Sequence, residues 1–151
     1  MYSGQDVKKI NHAPPAAIVN TGSVALLTPG YIDTQGYGSV FFEIQLGATD
    51  IALTALYVEE CDTSGGSYTI IPGADFSVLP LTLPAATDDN KQYGVLVPVN
   101  GLRKRFMKLI ATFGTGSAGG FLTAQARLGN PNNAPYDGTT QGYAQFAQVV
   151  G

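Results

Sequence analysis

The chain has 151 residues, enough for one domain whose folding buries roughly two-thirds of its unfolded surface, so its size demands no disulfide or metal staple. Hydrophobic residues make up 44% and charged residues 13%; that is about half the usual ~25% charge of soluble domains, a balance that excludes disorder and leaves surface for contacts with other chains. A net charge of −3 excludes wholesale attraction to nucleic acid or an anionic membrane, the single Cys61 excludes an intrachain disulfide, and no apolar run reaches the ~18 residues of a membrane span.

Residues 1–15 are polar, carry Lys8 and Lys9, and end in Pro14-Pro15. Nothing there repeats with helical period, so the segment is expected to be an extended arm that orders on a partner. It lacks the apolar core of a secretory signal, and the expectation is a soluble protein made inside the cell. Apolar stretches then begin at Ala17–Asn20 and Ser23–Thr28, broken by Thr21-Gly22 and by Pro29-Gly30. Val40, Phe42, Ile44 and Leu46 alternate with Phe41, Glu43 and Gln45, the pattern of a half-buried strand. Leu53–Glu60 reads as a strand, Cys61–Gly66 as a turn, and Ser67–Ile71 as the return, closed by Pro72-Gly73.

Residues 72–92 are looser, with Pro80, Pro84 and the cluster Asp88-Asp89-Asn90-Lys91. Tyr93–Val99 is a strand candidate in which Pro98 points to an edge or a strand end, and Asn100-Gly101 carries a hairpin signal. Met107, Leu109, Ala111 and Phe113 share one face of the next strand, Gly114–Gly120 turns the chain as a hairpin, and Leu122, Ala124, Ala126 and Leu128 share one face of the return. The expected architecture is all-β: an antiparallel β-sandwich or jelly roll over residues 16–136, the arm before it, and a tail or edge strand over 137–151.

The candidates for chemistry are sparse. Gly114-Thr115-Gly116-Ser117-Ala118-Gly119 matches the letters of a dinucleotide loop, but the residues after it alternate as a strand where that site needs a helix N-terminus. His12 stands alone in the arm, and with Cys61 it leaves too few ligands for structural zinc. A catalytic pair of the two would need the arm to dock. Glu59 and Glu60 are neighbours on a strand and so point to opposite faces, which prevents them from flanking one sugar bond. Asp88-Asp89-Asn90 lacks the spaced pattern of a calcium loop and reads as a solvated turn. No cofactor, metal or catalytic group is expected.

Residues 1–75 hold eight of the eleven acids, whereas Arg103, Lys104, Arg105 and Lys108 hold half of the eight basic charges. The simplest role for this basic run is to cap acidic neighbours, in the same chain or the next one.

The run RKRFMKLIATFGTGSAGGFLTAQARLGNPNNAPYD from Arg103 resembles small proteins encoded near the major capsid gene of tailed bacteriophages, the capsid decoration or cement proteins. Those show a basic-aromatic strand, a Gly-rich turn, an alternating Ala-Val strand and a closing proline segment. Lys104–Leu109, Ala124–Gly129, Pro131 and Ala134-Pro135 stand in those places. Upstream, Ile32–Val40 is similar to the family's "DT.GY.SL.F" strand, and Glu59-Glu60-Cys61-Asp62 with Gly65-Gly66 to its acidic turn, with Cys61 where Ser is usual. The likeness spans about residues 30–135.

The resemblance implies a structural virion protein on the capsid surface, made in the host cytoplasm and bound to the major capsid protein. It implies a homo-oligomer, a trimer in the first instance, with no nucleic-acid or membrane partner. A tail, neck or head-fibre component, or a sugar-binding β-sandwich for host attachment, is the alternative. The expected capsid or subunit interface comprises Lys8, Lys9, Arg103, Lys104, Phe106 and Lys108.

Overall fold

Side-chain alternation selects the strands, and what each strand buries selects its place. In a computed structural model, the described residues are 7–10, 16–18, 23–25, 30–114 and 120–132. They form ten strands and no helix: β1 (Val7–Ile10), β2 (Ala16–Ile18), β3 (Ser23–Ala25), β4 (Ile32–Asp33), β5 (Tyr37–Thr49), β6 (Leu53–Cys61), β7 (Thr69–Asp75), β8 (Gln92–Pro98), β9 (Phe106–Phe113) and β10 (Gly120–Pro131). All pairings are antiparallel and fall into two sheets.

In the first sheet β5 lies between β8 and β10, and the other edge of β10 is taken by β1 and β2. Val40, Phe42, Ile44 and Leu46 are all buried on one face of β5. Opposite them on β10 stand Leu128, Ala126, Ala124 and Leu122. The pairs Phe42–Ala126 and Ile44–Ala124 set a large side chain against a small one, which lets the layer interdigitate without overpacking.

In the second sheet β9 lies between β6 and the short strands β3 and β4, with β7 outside β6. Its buried face presents Met107, Leu109, Ala111 and Phe113 beside Leu56 and Val58 of β6. The two buried faces form one hydrophobic cluster, so the fold is an antiparallel β-sandwich.

Several local expectations change. The faces of β9 and β10 line one core as their alternation says, but the strands do not form a hairpin. Both edges of β9 are used by β6 and by β3 and β4, and both edges of β10 by β5 and by β1 and β2. The link between them therefore crosses from one sheet to the other; its residues 115–119 lie outside the described residues.

Asn100-Gly101 likewise joins strands of different sheets. Its turn is local: the Leu102 N–H donates to Asn100 Oδ1 (3.0 Å) and the Arg103 N–H to the Asn100 carbonyl (2.9 Å). Pro72-Gly73 does not end β7. Gly73 takes φ +83° in an irregularity of the ladder, and the chain goes on to bury Ala74 and Phe76. An edge strand tolerates this, since proline there forfeits no ladder bond and glycine accepts the positive φ.

Of the segment expected to be an arm, Val7–Ile10 pairs with Ala126–Gly129 of its own chain. A four-residue edge strand needs only a free ladder to join, and that leaves no helical or long apolar signal in the sequence. Pro98 ends an edge strand, as its position suggested. The expected tail, 137–151, lies outside the described residues.

Leu109 is 1% exposed in the middle of β9, and Leu109→Ala is expected to cost about 2–5 kcal/mol in urea denaturation; a loss below about 1 kcal/mol would contradict its packing. Gly120 is a second sensitive point. A Cβ there would overlap the fully buried ring of Phe113 and crowd Thr49 Oγ1 (2.9 Å), so Gly120→Ala is expected to lower stability by roughly 1–3 kcal/mol in the same assay.

Candidate functional site

The basic run enters the second sheet at the end of the sandwich where β6 closes. The turn at Asn100 carries the chain across to β9, and the burial of Met107 forces Phe106 and Lys108 onto the outer face. Glu60 lies opposite Met107 in the ladder, so its side chain points inward with those of Val58 and Leu56, and it is only 6% exposed. A buried carboxylate needs partners. Glu60 Oε2 accepts the Lys104 N–H (3.0 Å) and Oε1 lies 3.4 Å from the Arg103 guanidinium. Glu59 sits on the opposite face, in register with Lys108 and Ile70, as strand alternation requires.

Arg105 holds Asp33 of β4 in a fork, Nε to Oδ1 at 2.8 Å and Nη2 to Oδ2 at 2.6 Å, a pairing of roughly double the strength of a neutral hydrogen bond. The Arg105 guanidinium, aided by the Gln35 N–H and at longer range by Lys8, holds the Asp33 carboxyl below the usual carboxylate range against a modest opposing effect of burial. Arg105 also lies 5.0 Å above the Phe106 ring, which meets Tyr31 edge-on at 5.4 Å. Lys108 Nζ stands 3.8 Å over the Tyr68 ring.

Arg103 and the Lys104 N–H therefore meet at Glu60, whereas Phe106 and Lys108 stand on the outer face of β9, and Lys8 of β1 acts on this corner at long range through Asp33. Lys9 is apart, opposite Arg127 in the first sheet. Arg103 and Arg105 are engaged within their own chain, which is the capping role the sequence suggested.

Elsewhere the polar groups serve the fold. Arg127 pairs with Glu43 across β10 and β5 and lies 6.0 Å over Phe41. Asp88 accepts hydrogen bonds from Lys91 (2.6 Å), the Ala85 N–H (2.9 Å) and the Tyr93 hydroxyl (2.8 Å). Led by Lys91, these hold its carboxyl at about 2, while burial and Asp88 push Tyr93 up to about 12. Asp89 accepts the Thr49 N–H (2.8 Å), which pins this turn to the end of β5. Cys61 is buried beside Thr63 and Gly66. Among the described residues no group of three His, Cys, Asp or Glu side chains could hold a metal, and His12 lies outside them.

A second surface was missed by the sequence reading. Of the six exposed large hydrophobic side chains among the described residues, five fall between residues 70 and 102: Ile70, Val78, Leu79, Leu96 and Leu102. They belong to the edge strands β7 and β8 or to the connections that follow each of them, and Leu79 and Leu102 are each 82% exposed. Between the two edges runs a groove of about 240 Å³ whose lining includes Ile71, Ala74, Val95, Val97 and Leu102. The signal was present as leucines at turn positions, Leu79 in the proline-rich run Val78–Pro84 and Leu102 beside the basic run, where local structure gives no reason for them.

No protein-family model matches the chain, and no curated protein matches it.

Two outcomes follow from this chemistry. Glu60→Ala strands the Arg103 guanidinium and the Lys104 N–H, and is expected to cost about 1–3 kcal/mol by denaturant melting, with Arg105→Ala, whose ion pair is exposed, costing less. The lowered pKa of Asp88 contributes stability that is complete above its ordinary value of 3.8 and is lost as pH falls towards about 2. The urea midpoint of the native chain should thus fall more steeply from pH 5 to pH 2 than that of Asp88→Asn; parallel curves would deny Asp88 that role.

Proposed function

We propose that this protein is a structural component of a phage virion that binds the outer surface of the capsid and stabilises it, as a decoration protein does. The observation that carries the reading is the apolar side of the sandwich, where Val78, Leu79 and Leu102 project from connections next to the edge strands. Leu102, 82% exposed, lies against the apolar groove between β7 and β8, and covering that groove with a partner surface would remove its apolar area from water. The basic corner supports the same reading in a secondary role: Arg103 and Arg105 are neutralised in cis, so contact with a partner rests on apolar area more than on free charge.

Repetition is part of the mechanism. A rigid β-sandwich that binds many identical sites can use a weak contact at each, because simultaneous engagement by a symmetric oligomer multiplies the affinity. The major capsid protein is the proposed partner, and a trimer the proposed assembly.

The test is to add purified protein to capsids that lack it and count bound copies by cryo-electron microscopy. Leu79→Asp combined with Leu102→Asp is expected to lower occupancy at least about tenfold while leaving the melting temperature unchanged, since neither side chain is buried. Undiminished occupancy would remove the apolar side as the contact, and the absence of binding by the native chain would end the reading.

A further inference from the structure

The outer face of the first sheet is made of the side chains that alternation turns away from the core. Across β8, β5 and β10 they fall into rows: Leu96, Phe41 and Arg127, then Gly94, Glu43 and Gln125, then Gln92, Gln45 and Thr123. Gly47 and Phe121 follow at the far end, where a Cβ on Gly47 would stand 3.1 Å from the Phe121 Cβ. The face is grooved. A cavity of about 170 Å³ is lined by Glu43, Gln45, Thr123 and Gln125 with Ala124. A second of about 230 Å³ has Gln45, Asn90, Phe121 and Thr123 in its lining. The two share Gln45 and Thr123 and so form one cleft along β5 and β10.

The chemistry of this cleft narrows its ligand. Gln45 and Gln125 make no side-chain hydrogen bond among the described residues, so each amide keeps its two donors and its acceptor for a ligand. Glu43 is the only charged residue in the lining of either cavity, and Arg127 neutralises it. Phe121 is 48% exposed, and among the described residues it is the one exposed large hydrophobic side chain that lies outside residues 70–102. An anionic ligand would need unpaired cations, and an apolar ligand would need an apolar lining. Neither is present here. Amides that donate and accept, paired charge and a ring at one end match uncharged sugars, whose hydroxyls donate and accept and whose C–H faces stack on aromatic rings.

We propose that this cleft binds a neutral oligosaccharide, with Phe121 stacked on one pyranose ring and Gln45 and Gln125 bonded to hydroxyls of the next. From Glu43 to Gly47 the cleft runs about 13 Å, longer than one sugar ring, which suits an oligosaccharide better than a monosaccharide. None of its lining residues borders the groove between β7 and β8, so the site is separate from the proposed capsid contact.

The test is to apply the purified chain to an array of neutral, sialylated and sulfated glycans, and then to titrate it with the strongest neutral hit by amide-proton NMR. Binding to neutral glycans is expected, with the side-chain amide signals of Gln45 and Gln125 shifting on titration. Phe121→Ala, and separately Gln45→Ala combined with Gln125→Ala, should each weaken binding at least about tenfold. Both variants should keep the native melting temperature, since none of these side chains is buried, and either one serves if the other does not fold. No binding to any neutral glycan overturns the proposal, as does binding confined to acidic glycans. Neutral-glycan binding that both variants leave unchanged removes it from this cleft. The assay involves no capsid, so its failure leaves the proposed function standing, and failure of capsid binding leaves this site in place.

Discussion

The fold depends on two central strand pairs burying one face each against the other. β5 with β10, and β6 with β9, contribute the fully buried side chains: Val40, Phe42 and Ile44 from one layer, Leu56, Val58 and Phe113 from the other. Each strand has period two, so a slip of one residue in either pair would turn these side chains outward together and bring Glu43 or Lys108 inward. That penalty fixes the registers, and the registers fix the rest. Ala124 and Ala126 are small because Ile44 and Phe42 lie across from them. Gly120 is a glycine because the Phe113 ring occupies the place of a side chain.

The same constraint explains how the few charges are used. A sandwich is open at its ends and along its two sides, and there a chain must supply polar partners for side chains that alternation still turns inward. Glu60 is such a residue: inward by phase, at the end of its strand, satisfied by the first residues of the basic run. Asp33 and Arg105 close the neighbouring corner. The basic run, which in the sequence looks like a patch offered to a partner, is in large part the internal counterweight of acids placed far earlier in the chain. The proposed attachment to a capsid then draws on what is left over, an apolar side next to two edge strands.

Much of this was legible beforehand where the signal is local. The buried faces of β5, β9 and β10 follow from alternation alone, the opposite orientations of Glu59 and Glu60 from strand geometry, and the strand after the Gly-rich loop from the residues that follow it. The expected β9–β10 hairpin failed for a physical reason. Periodicity shows which way side chains point and says nothing about which strand lies at each edge. Asn100-Gly101 failed alike, since an Asn side chain that holds a turn together does so equally well between strands of different sheets.

By itself, then, the sequence determined the all-β class, the strand faces and the apolar core, because each of these is written in residue type and short-range spacing. Only the tertiary structure decided that Val7–Ile10 joins the sheet of its own chain, that Arg103 and Arg105 spend their charge on Glu60 and Asp33 across 43 and 72 positions of sequence, and that Leu79 and Leu102 emerge on connections of adjacent edge strands. Those are pairings between distant segments, fixed when two sheets close on one core, and no local pattern of residues encodes them.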